Sequence, residues 1–199
     1  MGDIFREVDE ELKQERYEKL WRQYRWCIIG AAIVMVAAVA GWQVWNAYQI
    51  SQRHAEGQKF AAATALLREG KPTAAADIFS GLARDASSGY GILAQFYQAN
   101  ISAKAGNAMQ AIDLYDRIAR DSSAPKSMQG LATVLATLQA LKVPSITAET
   151  IRNKIQPMSR GGKPYRLIAL EILALTAQRE GDLDTARANY RAIVDDPAA

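Results

Sequence analysis

Residues 26–52 carry no charged side chain, and residues 27–41 hold nothing polar beyond Cys27. A helix over residues 26–45 is about 30 Å long, the thickness of a bilayer's hydrocarbon core. A chain with such a segment is constrained before anything else is known. Its remainder divides into a part before the membrane and a part after it. The expected division is a cytoplasmic segment over 1–25, a transmembrane helix over 26–45 and a second, larger domain over 46–199.

Lys and Arg set the expected orientation. Arg6, Lys13, Arg16, Lys19, Arg22 and Arg25 precede the span, and all but Arg6 lie close to it. The 15 residues on the far side, positions 46–60, carry only Arg53 and Lys59, against the five in the 15 residues before the span. The positive-inside rule then places the N-terminus in the cytoplasm and the larger domain across the membrane. Seven acids bring the net charge of positions 1–25 to −1, but acids count little in this rule. Trp21, Tyr24 and Trp26 before the span, and Trp42, Trp45 and Tyr48 after it, suit the headgroup level, where rings with a polar edge settle. The competing reading is a cleaved leader, since Ala38-Val39-Ala40 has the small-x-small form of a cleavage site. Against it stand the long charged N-terminal region and the apolar character that continues through Trp42, Val44 and Trp45. A buried core helix is the third reading, but the segment lacks a polar stripe at helical period.

Before the span, Phe5, Val8, Leu12 and Leu20 lie close to one helical stripe, which predicts a helix with a partner-contacting or membrane-contacting face. After the span, 18 basic and 14 acidic residues give a mild +4. The charges are scattered and lack the aromatic interleaving of single-strand binders, so no nucleic-acid partner is expected. Cys27 is the sole cysteine, so residues 46–199 hold no disulfide and no thiol chemistry.

That region repeats itself. Gly70, Gly106 and Gly181 each end one helical pattern and precede another. The second pattern recurs as Ala75-x3-Phe79-x2-Leu82, Ala111-x3-Tyr115-x2-Ile118 and Ala186-x3-Tyr190-x2-Ile193. A degenerate copy, Ala148-x3-Arg152-x2-Ile155, has Val143 in place of the glycine. The step from Ala75 to Ala111, Ala148 and Ala186 is nearly constant. A second set, Ala63, Ala99, Ala136 and Ala174, precedes the first at one fixed interval. A small side chain at a fixed place in both helices of a pair lets their backbones approach, while the larger residues nearby fill the layer to the next pair. The predicted class is all-α: one transmembrane helix, then an α-solenoid of about four helix pairs. A plain antiparallel bundle is the alternative.

The register resembles the tetratricopeptide repeat. Counting each copy from Glu56, Ile92, Gln129 and Leu167, the family's small positions fall on the eight alanines. Its large apolar position falls on Phe79, Tyr115 and Tyr190. The motif's early tryptophan is replaced by Lys59, Gln95, Ala132 and Leu170. The order of the whole chain further resembles the YfgM-like family of ancillary SecYEG translocon subunits, in its alphaproteobacterial form. The residues that carry this are Asp3-Ile4-Phe5-Arg6-Glu7-Val8-Asp9-Glu10-Glu11, Gly41-Trp42-Gln43-Val44-Trp45-Asn46, Gly89-Tyr90-Gly91 and Gly181-Asp182. The resemblance implies a bacterial inner-membrane protein with a periplasmic repeat domain that contacts the translocon and periplasmic chaperones.

No catalytic constellation, cofactor or metal site is expected. His54 is the lone histidine. Arg160-Gly161-Gly162-Lys163 fails as a phosphate loop because Pro164 stands where Ser or Thr is needed. Asp182, Asp184, Asp195 and Asp196 lack the alternation of a calcium loop, and the first two suit a helix start. Function is thus expected from surfaces that bind protein, with no small-molecule substrate. In tetratricopeptide arrays the first helices of the pairs line a groove, which here predicts Phe60, Thr64, Leu67, Leu93, Phe96, Asn100, Thr133, Thr137, Glu171 and Leu175. Several of these could equally be core. No lysine stands among them, so the groove suits apolar or mixed segments and not a terminal carboxylate. The roles left open are a translocon-associated scaffold and an accessory or assembly subunit of another inner-membrane complex, respiratory or cell-envelope. The last helix should present Ala186, Tyr190, Ile193 and Val194 either bare or covered by another chain, and family members that continue past this point suggest a further segment.

Overall fold

The computed structural model describes residues 3–86 and 89–196, with side chains for 24–26, 29–86 and 89–196. The described residues are helical and contain no strand. The helices are α1 (Asp3–Arg68), α2 (Pro72–Asp85), α3 (Gly89–Lys104), α4 (Ala108–Arg120), α5 (Lys126–Ala140), α6 (Ala148–Ile155), α7 (Arg166–Glu180) and α8 (Leu183–Val194). Contacts divide the chain into two units, Met1–Arg53 and His54–Ala199. In the first, the described side chains from Tyr24 onward are almost all exposed, and a Cβ added at Gly30 or Gly41 would meet nothing. The expected stripe of Phe5, Val8, Leu12 and Leu20 lies outside the described side chains.

In the second unit each helix from α2 onward packs on the next in the chain, and Ala63 of α1 shares a buried cluster with Ala75 and Phe79 of α2. Three of the turns share one device. Gly70, Gly106 and Gly181 take φ of 74°, 84° and 80°, the left-handed region that glycine enters without Cβ strain. In each case the next residue's N–H reaches back into the helix just ended: Lys71 to the Leu66 carbonyl at 2.9 Å, Asn107 to Ser102 at 2.9 Å, and Asp182 to Ala177 at 3.0 Å. These bonds satisfy carbonyls that a helix end would otherwise leave bare. The fourth turn has Val143 and solves the problem differently. The Arg179 guanidinium donates to the carbonyls of Leu141 and Ile146 from across the chain.

Starts are equally local. Pro72 supplies the fixed φ of a first helical residue. Thr147 accepts from the Thr150 N–H at 3.2 Å, and Asp182 accepts from Thr185 at 3.0 Å.

The core follows the alanine register. Ala63, Ala75, Ala99, Ala111, Ala136 and Ala174 are all 0 % exposed. Ala99 and Ala111 belong to one cluster with Tyr115, Ile118, Ala132 and Ala136, which ties α3, α4 and α5 together. Phe79 and Leu82 join Ala63, Ala75 and Ala94 in a second cluster, where the Phe79 and Tyr97 rings stack 4.8 Å apart. Burying a side chain of this size is worth about 1.5–3 kcal/mol. The degenerate copy departs from its register. Ile151, not Arg152, is buried with Ile155, and Arg152 turns out to pair with Glu180 of α7. A guanidinium cannot fill an apolar seam without its charge being matched, so the neighbouring isoleucine takes the place.

Helix α6 has only 8 residues before a 3-10 turn at Gln156–Met158, and it offers α7 a smaller seam than α2 offers α3 or α4 offers α5. Instead α7 also leans directly on α5. Gly130 makes room for this: a Cβ there would lie 2.9 Å from the Tyr165 ring. The same arrangement occurs earlier, where a Cβ at Gly57 would lie 3.1 Å from the Tyr90 hydroxyl oxygen.

Two outcomes follow from this packing. Ala111→Leu over-packs the α3–α4 seam and costs about 1–3 kcal/mol, read from urea unfolding. The second concerns pH. The Ser123 hydroxyl and amide bonds hold Asp121 below its ordinary 3.8, and the Thr185 side-chain and amide bonds do the same for Asp182. A lowered folded pKa means stability that is complete above the ordinary value and fades as pH falls through the lowered one. Asp121→Ala and Asp182→Ala therefore flatten the acid limb of the melting temperature against pH, and leave the neutral-to-alkaline limb parallel to that of the parent.

Candidate functional site

The ten groove candidates separate into three kinds of place. Phe60, Thr64 and Leu67, on the last turns of α1, are half-buried. Phe60 is a packing hub, with ring centroids 5.5 Å from Phe79, 5.4 Å from Tyr90 and 5.2 Å from Tyr97. Thr64 turns its hydroxyl onto the Ala61 carbonyl at 2.8 Å. On α3, Leu93 and Phe96 are half-buried and Asn100 is exposed. Phe96 lies 6.0 Å from the Tyr115 ring, and Asn100 hydrogen-bonds the Tyr115 side chain. Burial raises the Tyr115 pKa, and the Asn100 bond opposes it.

On α5 the expectation of an open groove residue at Thr137 is corrected. Thr137 is 0 % exposed, with its hydroxyl donating to the Thr133 carbonyl at 2.7 Å. Thr133 is half-buried and donates in the same way to Gln129 at 2.9 Å. A threonine that satisfies its own hydroxyl one turn back can be buried at little cost, which its polarity in the sequence conceals. On α7, Glu171 is exposed and Leu175 half-buried.

Two surface grooves among the described residues are lined by none of the ten. One runs beside α8, lined by Leu183, Ala186, Tyr190 and Val194 and flanked by Arg187 and Arg191. Of the four residues expected to be presented by the last helix, Val194 is 79 % exposed, Tyr190 and Ile193 are half-buried, and Ala186 is buried in the core, while Leu183, outside that set, is 60 % exposed. The other lies at the start of α7, between Gly162, Lys163, Tyr165, Arg166 and Asp196. Arg166 pairs there with Asp196. Nothing periodic in the sequence marks this second groove, because it depends on a loop meeting the far end of the chain.

The aromatic residues flanking the apolar segment are open. Tyr24, Trp26, Trp42, Trp45 and Tyr48 are 48–70 % exposed, and Trp21 lies outside the described side chains. The Arg25 guanidinium sits 5.8 Å from the Trp26 ring centroid. One helix among the described residues is long and apolar enough to cross a membrane, and none of its apolar window is buried. Among the described residues no group of three or more His, Cys, Asp or Glu is placed to hold a metal ion.

These features define a class: an all-helical repeat-like protein with one helix apolar enough to span a bilayer. The profile of the tetratricopeptide repeat-like domain family matches residues 18–143, more than half the chain, and the chain belongs to that family. Such repeats generally mediate protein–protein interaction and are generally not catalytic. No curated protein and no solved structure matches the chain.

Core and surface roles at the candidate positions separate by stability. Phe60→Ala costs about 2–4 kcal/mol, because it removes the ring at the centre of three aromatic contacts. Glu171→Ala stays within about 0.5 kcal/mol of the parent. Chemical unfolding of the two variants side by side checks both values.

Proposed function

We propose that this chain is a non-enzymatic inner-membrane scaffold, anchored by residues 26–45 and presenting residues 46–199 in the periplasm as a solenoid of about four helix pairs. Residues 1–25 are its cytoplasmic segment. Its particular role on this reading is that of a YfgM-like ancillary subunit, linking SecYEG to periplasmic chaperones. Its partners are proteins and lipid, and it needs no cofactor or small-molecule substrate.

One observation carries the reading: an apolar helix with no buried side chain in its window, in the same chain as a repeat-like interaction domain. A helix this apolar has no stable place in water, and none of its apolar window is buried among the described residues. The family match begins at residue 18, ahead of the apolar segment. The segment therefore belongs to what the family shares, which favours a retained anchor over a removed leader. The Lys and Arg bias supports the orientation. The exposed residues Asn100 and Glu171, with half-buried Leu93 and Leu175, offer mixed apolar and polar contacts and no cationic clamp.

Gentle solubilisation of the tagged full chain tests the partner assignment. SecYEG and periplasmic chaperones are the expected co-purifying proteins. Recovery of a respiratory or cell-envelope complex in their place overturns the translocon role. In right-side-out vesicles residues 46–199 are expected to be open to added protease, and a mature N-terminus at Gly41 overturns the anchor.

A further inference from the structure

Two tyrosines occupy one register position, Tyr90 just ahead of Ile92 and Tyr165 just ahead of Leu167. Two glycines occupy another, Gly57 directly after Glu56 and Gly130 directly after Gln129. The structure seats each tyrosine on the glycine of the preceding copy: Tyr90 on Gly57 and Tyr165 on Gly130. At the intervening seam the same positions hold Leu93 and Ser127, so the ring-on-glycine contact skips one junction and returns.

The two contacts differ in their backbone. Tyr90 lies inside α3, in ordinary helical conformation. Tyr165 lies before α7 with φ of 66°, the one described non-glycine residue in the left-handed region. An L-residue is strained there unless its surroundings hold it. What holds Tyr165 is the seat on Gly130 and a hydrogen bond from its hydroxyl to the Ser127 carbonyl at 2.9 Å. Both anchors are on α5. Tyr165 thus joins α7 to α5 at the junction where α6 is shortest and the α6–α7 seam is small.

We infer that Tyr165 is a latch, and that α7 and α8 form a flap which opens as a unit when the ring leaves Gly130. Opening relieves the backbone strain at Tyr165 and uncovers the apolar cluster that Val134 and Ala140 of α5 share with Ile172 of α7. The polar ties across the gap are partly exposed: Arg152 to Glu180, and Arg179 to the Leu141 and Ile146 carbonyls. Such ties are individually weak, so the flap is held closed by that apolar cluster together with the ring, which packs against the cluster's edge. The inference rests on packing alone and does not depend on the membrane role.

Hydrogen exchange of the full chain in detergent micelles, resolved by segment, tests it. In the parent, amides of α7 and α8 are expected to exchange together and ahead of those of α3 to α5. Tyr165→Ala is expected to speed exchange of α7 and α8 by about tenfold or more while leaving α3 unchanged. Gly130→Ala, which crowds the ring instead of removing it, is expected to act in the same direction. Tyr165→Phe keeps the ring and loses only the Ser127 bond, so its effect is expected to be smaller than that of Tyr165→Ala. Exchange of α7 and α8 in one step with α3 to α5 in the parent overturns the flap. Unchanged exchange in both Tyr165→Ala and Gly130→Ala overturns the latch.

Discussion

Close approach of helices at alanine is the constraint on which the repeat domain depends. Ala63 and Ala75, Ala99 and Ala111, and Ala174 and Ala186 are buried in successive helices, and each is small enough to let the two backbones meet. Everything larger is arranged around those contacts. Phe79, Tyr115 and Ile118 fill the spaces the alanines leave, and the left-handed glycines return the chain at the distance the alanines set. A larger side chain at one alanine does not merely clash locally, because the layer beside it is already filled.

The segment around α6 shows how this packing tolerates a poor copy of the alanine pattern. It lacks the turn glycine and the aromatic, and its second helix is short. Three compensations answer this. Arg179 caps the bare carbonyls, Ile151 fills the seam that Arg152 cannot, and Tyr165 bridges to α5 over Gly130. Two of the three replace a local contact with a longer-range one.

The candidate groove was only partly legible. Glu171 and Asn100 are exposed as a surface reading needs, but Phe60 and Phe96 spend their rings on the core, and Thr137 is sealed inside it. The register gives which side of a helix a residue occupies. It does not give how far the next helix leans over that side. The polarity of threonine misleads here because its hydroxyl closes on its own helix.

Legible from residue order alone were the apolar segment, the positions of the buried alanines, the three glycine turns and the exposure of Val194 on α8. Each is a local matter: a run of side chains, a spacing set by helical period, or a backbone angle that one residue type enters freely. Contacts between distant segments put Ile151 and not Arg152 inward, brought Arg179 to the loop around Ile146 and seated Tyr165 on Gly130. Those choices depend on which side chain reaches a given space first when distant segments meet. A sequence pattern records the period of each helix but not the distance between them, so the partners across a seam were settled only by packing.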